Sequence, residues 1–168
     1  PFLDGKTVLL TVARLVAQKR VDLALGAFAR IAEEFPGACL AIAGDGPERQ
    51  SIQRDVSARG LASRVHLLGS LEPMSPALLH LYRRADLFLM LGVCEGMPNV
   101  FMEAGACRLP SVGADSGGTP EIVRHGETGL LAAADDERDA ARQLRVLLQD
   151  ANLRETLGDR AYREVADR

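Results

Sequence analysis

Six short apolar runs of strand length, each followed by a stretch that reads as a helix or a tight turn, constrain this chain most. The runs are Thr7–Val12, Cys39–Ala43, Val65–Leu68, Leu87–Leu91, Ser111–Ala114 and Gly129–Leu131. Between the first two, Val21, Leu25, Phe28, Ile31 and Phe35 recur near helical spacing until Pro36-Gly37 stops them. Glu48–Arg59 reads as a polar helix closed by Gly60, and Ser75-Pro76 supplies an N-cap and first helical residue for a helix reaching Arg84. Asn99 opens a helix to about Ala106, Pro120–Val123 makes a short turn, and Glu137–Gln149 and Leu153–Asp167 close the chain. Strands with no polar alternate must be covered on both faces. Strands that alternate with helices form a parallel sheet. The expected fold is therefore α/β: a Rossmann-like, doubly wound parallel sheet of about six strands with helices on both faces. With 168 residues, one domain can bury a sizeable core.

Such sheets bind ligands beyond the carboxyl ends of their strands. Arg14 and Lys19-Arg20 follow the first run, Gly44-Asp45-Gly46-Pro47 the second, and Gly69-Ser70 the third. The fourth is followed by Gly92 to Asn99, opening a helix, and the fifth by Asp115 to Glu121. Two cations beside glycine turns and a helix N-terminus suit a diphosphate, with Arg14 binding in two-pronged fashion and Lys19 as a point charge. An isolated Arg/Lys pair at a helix start is more often solvated; the strand-end position argues for binding. Position 49 is Arg49, so Gly44-Asp45-Gly46 is not a dinucleotide fingerprint, and no phosphate-loop motif occurs. Pro98 keeps Glu95 in the loop, and Glu103 falls in the second turn of the following helix. Carboxylates there suit sugar or ribose diols; alone, the same pair reads equally as a loop charge and a helix-dipole partner. No two Asp stand at i and i+2, the acidic pair often used to hold a divalent metal with a diphosphate. His66, His80 and His125 lack ligand spacing, so no metal and no cofactor are expected.

Charge narrows the partners. Twenty basic and 23 acidic residues give a net charge of −3, which offers no bulk attraction for nucleic acid or anionic membrane. Three cysteines without paired spacing argue against a disulfide framework and for a reduced, cytoplasmic setting. No apolar stretch is long enough to span a bilayer. The chain begins with Pro1 and stops in Val165-Ala166-Asp167-Arg168, which still reads as helix. The expectation is one piece of a larger protein.

In order and spacing, six segments resemble one family. They are Val12-Ala13-Arg14-Leu15 with Lys19-Arg20-Val21-Asp22; Ala41 to Pro47; Arg64 to Gly69; Glu95-Gly96-Met97-Pro98-Asn99-Val100-Phe101-Met102-Glu103-Ala104; Gly117 to Val123; and Gly126 to Leu131. Together they resemble the C-terminal domain of group 1 (family 4) retaining glycosyltransferases of the two-domain GT-B fold. The resemblance implies that Arg14 and Lys19 hold the donor diphosphate and stabilise the leaving group. It implies that Glu95 and Glu103 form the E-x7-E pair, the first contacting the transferred sugar and the second the ribose. Gly96, Met97, Pro98, Asn99 and Val100 then match the loop and helix start whose amides meet sugar and phosphate. Gly44, Asp45, Gly46, Leu68 and Gly69 match segments near the nucleoside, and Glu121 a loop close to the donor.

The implied activity is hexosyl transfer from a nucleotide-diphospho sugar to an acceptor hydroxyl, with anomeric retention and without metal. The acceptor site lies on an N-terminal domain, which also carries any peripheral contact with the inner face of a membrane. The isolated domain is expected to bind nucleotide weakly and to transfer no sugar. A sugar-nucleotide 2-epimerase on the same scaffold, or a non-catalytic nucleotide-binding module, are the rival readings. The chain departs from the family's usual pattern in Leu91-Gly92, in Arg108 at a customary glycine, and in Pro110-Ser111.

Overall fold

The computed structural model describes residues 3–93, 96 and 98–167. Six strands form one parallel sheet: β1 (Thr7–Val12), β2 (Ala38–Ala43), β3 (Val65–Gly69), β4 (Leu87–Met90), β5 (Ser111–Asp115) and β6 (Gly129–Ala133). Their order is β3-β2-β1-β4-β5-β6, the doubly wound arrangement expected from the apolar runs. Seven helices complete the fold: α1 (Val21–Ile31), α2 (Arg49–Ala58), α3 (Pro76–Arg84), α4 (Asn99–Ala106), α5 (Thr119–Ile122), α6 (Glu137–Gln149) and α7 (Ala151–Ala166).

Because strand side chains alternate, each central strand feeds two cores. Leu9, Leu40, Ile42, Leu87 and Leu89 pack toward α1, α2 and α6, together with Phe28, Leu144 and Leu147. Leu10, Cys39, Ala41, Phe88 and Met90 pack on the opposite face toward α3, α4 and α5, with Leu78, Tyr82, Phe101 and Ile122. These residues are almost wholly buried, and at roughly 25 cal/mol per Å² their burial is the main term holding the sheet.

Local chemistry sets the boundaries. Ser75 accepts a hydrogen bond from the Leu78 amide at 3.2 Å and Pro76 occupies the first helical position. Asp136 and Asp150 cap α6 and α7 in the same way, so α7 starts at Ala151, two residues before the sequence reading. The apolar repeat of α1 runs to Phe35, but the helix ends at Ile31. Arg64 takes the carbonyls of Ala32, Phe35 and Ala38, and its guanidinium lies 5.4 Å over the Phe28 ring, which folds this segment into a turn. Helices α4 and α7 approach closely where Gly105 faces Ala161: a Cβ at Gly105 would lie 3.0 Å from Val165 Cγ2 and 3.4 Å from the Ala161 carbonyl oxygen.

Candidate functional site

Strands β1 and β4 are neighbours, yet the helices that follow them cover opposite faces of the sheet. Their departing loops therefore splay apart and leave a crevice at the strand ends. A cavity of about 430 Å³ sits there. Its floor and walls are Val12, Ala13 and Arg14 after β1, Ala43, Gly44 and Asp45 after β2, and Ser70, Leu71 and Pro73 after β3. Lys19, Leu78 and Met90 contribute from the sides, and Pro98, Asn99 and Val100 bring the start of α4.

The loops are tied to one another by backbone bonds. The Ala13 amide donates to Ala43 at 3.1 Å, Leu15 to Asp45 at 2.9 Å, and Gly44 to Gly69 at 2.7 Å. Gly44 has φ +150°, and a Cβ there would stand 1.8 Å from the Ala13 carbonyl oxygen. Only glycine allows so close an approach of the two loops. A single 3₁₀ turn at Ala17–Lys19, which carries no periodic signal in the sequence, presents Lys19 and ends at Arg20 in the left-handed region. The Val93 amide donates to the Gln18 carbonyl at 3.0 Å, joining this turn to the β4 loop.

The charges differ in their commitments. The exposed Arg14 guanidinium takes no partner among the described residues, while Lys19 is half-buried. Asp45 also faces the cavity, but its carboxylate accepts from the Gly46 amide at 2.8 Å and lies 3.6 Å from Arg49. Its negative charge is thereby partly answered. Helix α4 starts after Pro98, which provides no side-chain cap, whereas α3, α6 and α7 are each capped by a side chain. The first-turn amides at Asn99 and Val100 thus reach the cavity without the neutralisation that a cap supplies.

Of the residues singled out in the sequence, the structure brings Arg14, Lys19, Gly44, Asp45, Pro98, Asn99 and Val100 to one cavity. Gly46 stands behind it, turning the chain into α2 with its amide on Asp45. Leu68 and Gly69 do not line it. Leu68 packs into the core against the α3 and α4 face, and Gly69, at φ +78°, turns the chain so that Ser70, Leu71 and Pro73 face the cavity instead. Ser70 was read as a strand-end residue beside Gly69; Leu71, Pro73, Leu78 and Met90 were not read from the sequence, which marks a turn by its glycine and not by the further neighbours that the turn exposes.

Glu103 sits one helical turn beyond Asn99, exposed, and its Oε2 accepts a 2.8 Å hydrogen bond from the buried Tyr82 hydroxyl. Glu121 lies on α5 after β5, farther along the sheet from the cavity. Gly96 is exposed beside the start of α4, and Glu95 and Met97 lie outside the described residues. Among the described residues, no three His, Cys, Asp or Glu side chains cluster as a metal site. A second hollow of about 580 Å³ is lined by Arg124, Glu127, Thr128 and residues of α7 that include Arg160 and Arg163; there Arg124 is paired with Glu127 at 3.2 Å and Glu164 at 2.6 Å.

Comparison with known proteins bears on the same geometry. The family model described as glycosyl transferases group 1 matches residues 1–164. The N-acetyl-alpha-D-glucosaminyl L-malate synthase of Bacillus anthracis is 34% identical over 162 residues, covering 96% of this chain and 41% of that protein. The chain thus spans about two fifths of that relative's length. Among solved structures, the C-terminal domain of the group 1 glycosyl transferase LpcC from Francisella tularensis superposes with a TM-score of 0.89 at 21% identity, covering 98% of this chain and 86% of that one. HepE of Anabaena, crystallised with UDP, superposes with a TM-score of 0.88 at 24% identity over 99% of this chain and 45% of its own. The structural likenesses show a shared fold, and the family match extends it from the first residue to residue 164; the chain is a member of the group 1 glycosyltransferases.

Proposed function

We propose that this chain is the donor-binding half of a two-domain retaining hexosyltransferase, and that the strand-end cavity holds a nucleotide-diphospho sugar. One observation carries the reading. An arginine with no partner among the described residues, a lysine, and a helix N-terminus that Pro98 leaves without a side-chain cap converge on a single cavity at the point where the sheet's winding reverses. The relatives support it: the UDP in HepE and the sugar transferred by the Bacillus protein belong to the same chemistry.

In this reading the bond from the anomeric carbon to the diphosphate oxygen breaks and its electron pair leaves with the nucleoside diphosphate, while the acceptor hydroxyl oxygen bonds to that carbon and its proton passes to the departing diphosphate. Arg14, Lys19 and the amides at Asn99 and Val100 stabilise that growing negative charge, an electrostatic contribution typically worth several kcal/mol. These groups neutralise the diphosphate without a metal. Glu95 orients the sugar, and its charge favours the positive anomeric carbon. Glu103 contacts the ribose, and retention of configuration is part of the proposal, with no nucleophile assigned. The acceptor binds on an N-terminal domain across the cleft. The whole protein works in the cytoplasm, with any membrane contact made through that other domain. Among the described residues, no helix is long and apolar enough to cross a membrane.

A thermal-shift panel of UDP, GDP and ADP tests this directly. A ligand at a hundredfold excess over its Kd adds about 2.7 kcal/mol to stability. At least one of the three is expected to raise the midpoint by several degrees. An unchanged midpoint with all three at millimolar concentration contradicts the reading. Sugar transfer by these 168 residues alone would overturn its two-domain part.

A further inference from the structure

We propose that Tyr82 is a positioning residue for Glu103: its hydroxyl holds one carboxylate oxygen so that the other is presented to a ribose diol. The inference rests on the donor-binding reading above and adds to it a residue outside all six family-like segments. Tyr82 lies on α3 one turn beyond Leu78, which lines the cavity, and Glu103 lies on α4 one turn beyond Asn99, which lines it from the other side. Residues four apart share a helix face, so the Tyr82–Glu103 bridge lies between the two helices, one turn beyond the residues with which each lines the cavity.

The donor is rigid and the acceptor is not. Tyr82 is buried, with its ring centroid 5.9 Å from that of Phe88. Phe88 in turn meets the edge of Phe101 at 5.4 Å and 86°, and Phe101 belongs to the same helix as Glu103. The hydroxyl is therefore held by a closed path through α3, β4 and α4. Glu103 is exposed, and an exposed glutamate otherwise samples many rotamers, an entropy cost on ligand binding that one fixed hydrogen bond reduces. Burial, and next the Glu103 carboxylate, push the Tyr82 hydroxyl far above its ordinary range. It stays protonated at every working pH and can only donate to the carboxylate. Oε2 takes that proton, and Oε1 is left with no partner among the described residues.

A purely structural cross-link between α3 and α4 predicts different behaviour, and the experiment separates the two. Calorimetric titration measures binding of UDP, GDP and ADP to the wild-type chain, then of the 2′,3′-dideoxy form of whichever binds. A charge-assisted hydrogen bond corresponds to roughly tenfold in affinity, so the ribose form is expected to bind about tenfold tighter than the dideoxy form. Tyr82→Phe keeps the ring packing and is expected to cut that ratio to about threefold. The loss falls on the ribose form alone. Glu103→Gln abolishes most of the ratio, and adding Tyr82→Phe to it costs nothing further.

A Tyr82→Phe chain that melts cooperatively but keeps the full ratio, or loses affinity equally for both ligand forms, overturns the positioning role. If that variant does not fold, Glu103→Asp withdraws the exposed carboxylate by one methylene; a preserved ratio there overturns the role as well. A wild-type chain that binds a diphosphate without distinguishing ribose from dideoxyribose removes Glu103 from the ribose, and the inference with it. A wild-type chain that binds none of the three overturns the donor reading itself.

Discussion

The two faces of the sheet are built from the same strands but to different ends. The face toward α1, α2 and α6 is dominated by aliphatic side chains with Phe28 among them, and none of its helices brings a side chain into the cavity from its own body. The face toward α3 and α4 carries Tyr82, Phe88 and Phe101, and both of its long helices reach the cavity, through Leu78 and through Asn99 and Val100. One face supplies stability that is indifferent to the ligand. The other couples packing to the site, so disturbing it changes what the cavity presents.

Truncation in the two cores breaks this comparison most sharply. Leu40→Ala on the first face is expected to cost about 3–4 kcal/mol, read by chemical denaturation, with nucleotide affinity per folded molecule unchanged. Phe101→Ala on the second is expected to cost about as much and also to weaken nucleoside diphosphate binding, because α4 loses the ring that seats it. Equal affinity in both variants would show that the faces do not differ in this way. Gly44→Ala acts at the rim. Its Cβ collides with the Ala13 carbonyl in a conformation that side chains rarely adopt, so about 2–3 kcal/mol and most of the affinity are expected to go together.

Two smaller effects sharpen the picture of the scaffold away from the cavity. Arg108 stands at φ +57°, where the family resemblance expects glycine. It bonds to Asp159 and lies 4.1 Å over the Tyr162 ring, both on α7. Arg108→Gly relieves the backbone but loses these contacts, so thermal denaturation is expected to show a net change within about 1 kcal/mol. Asp139 gives a pH dependence. Burial raises its carboxyl, but the Ala133 amide and Arg142 outweigh this and leave it below its ordinary value of 3.8. Its contribution is complete above the unfolded value and is lost as pH falls through the depressed folded value. Denaturation between pH 5 and pH 2 checks this: Asp139→Asn should flatten the acid limb slightly, and an unchanged limb would contradict it.

Much of the fold was legible because its signals are local. Strands such as Leu87–Met90 are apolar without interruption, and Ser75-Pro76 states a helix start in two residues. What escaped depended on tertiary partners. Nothing in Val21 to Phe35 reveals that Arg64 would claim the carbonyls ending α1. The site divides in the same way. Arg14 and Gly44 follow strands within two residues and were readable as strand-end residues, with Lys19 five residues beyond Arg14. Leu71 and Pro73 were not, because the left-handed turn at Gly69 decides which neighbours beyond Ser70 face the cavity. Tyr82 reads as one more apolar position of α3, and its partner lies 21 residues away on another helix.

The central claim is that Arg14, which takes no partner among the described residues, holds a diphosphate. Isothermal titration of the wild-type chain and of Arg14→Ala with UDP, GDP and ADP tests it most directly. Because the side chain is exposed and takes no partner among the described residues, the variant should melt within about 0.5 kcal/mol of the wild type. Its affinity for the preferred diphosphate should fall at least about tenfold, as expected for a lost charge-assisted bidentate pair. Undiminished binding by a folded Arg14→Ala chain would contradict the account.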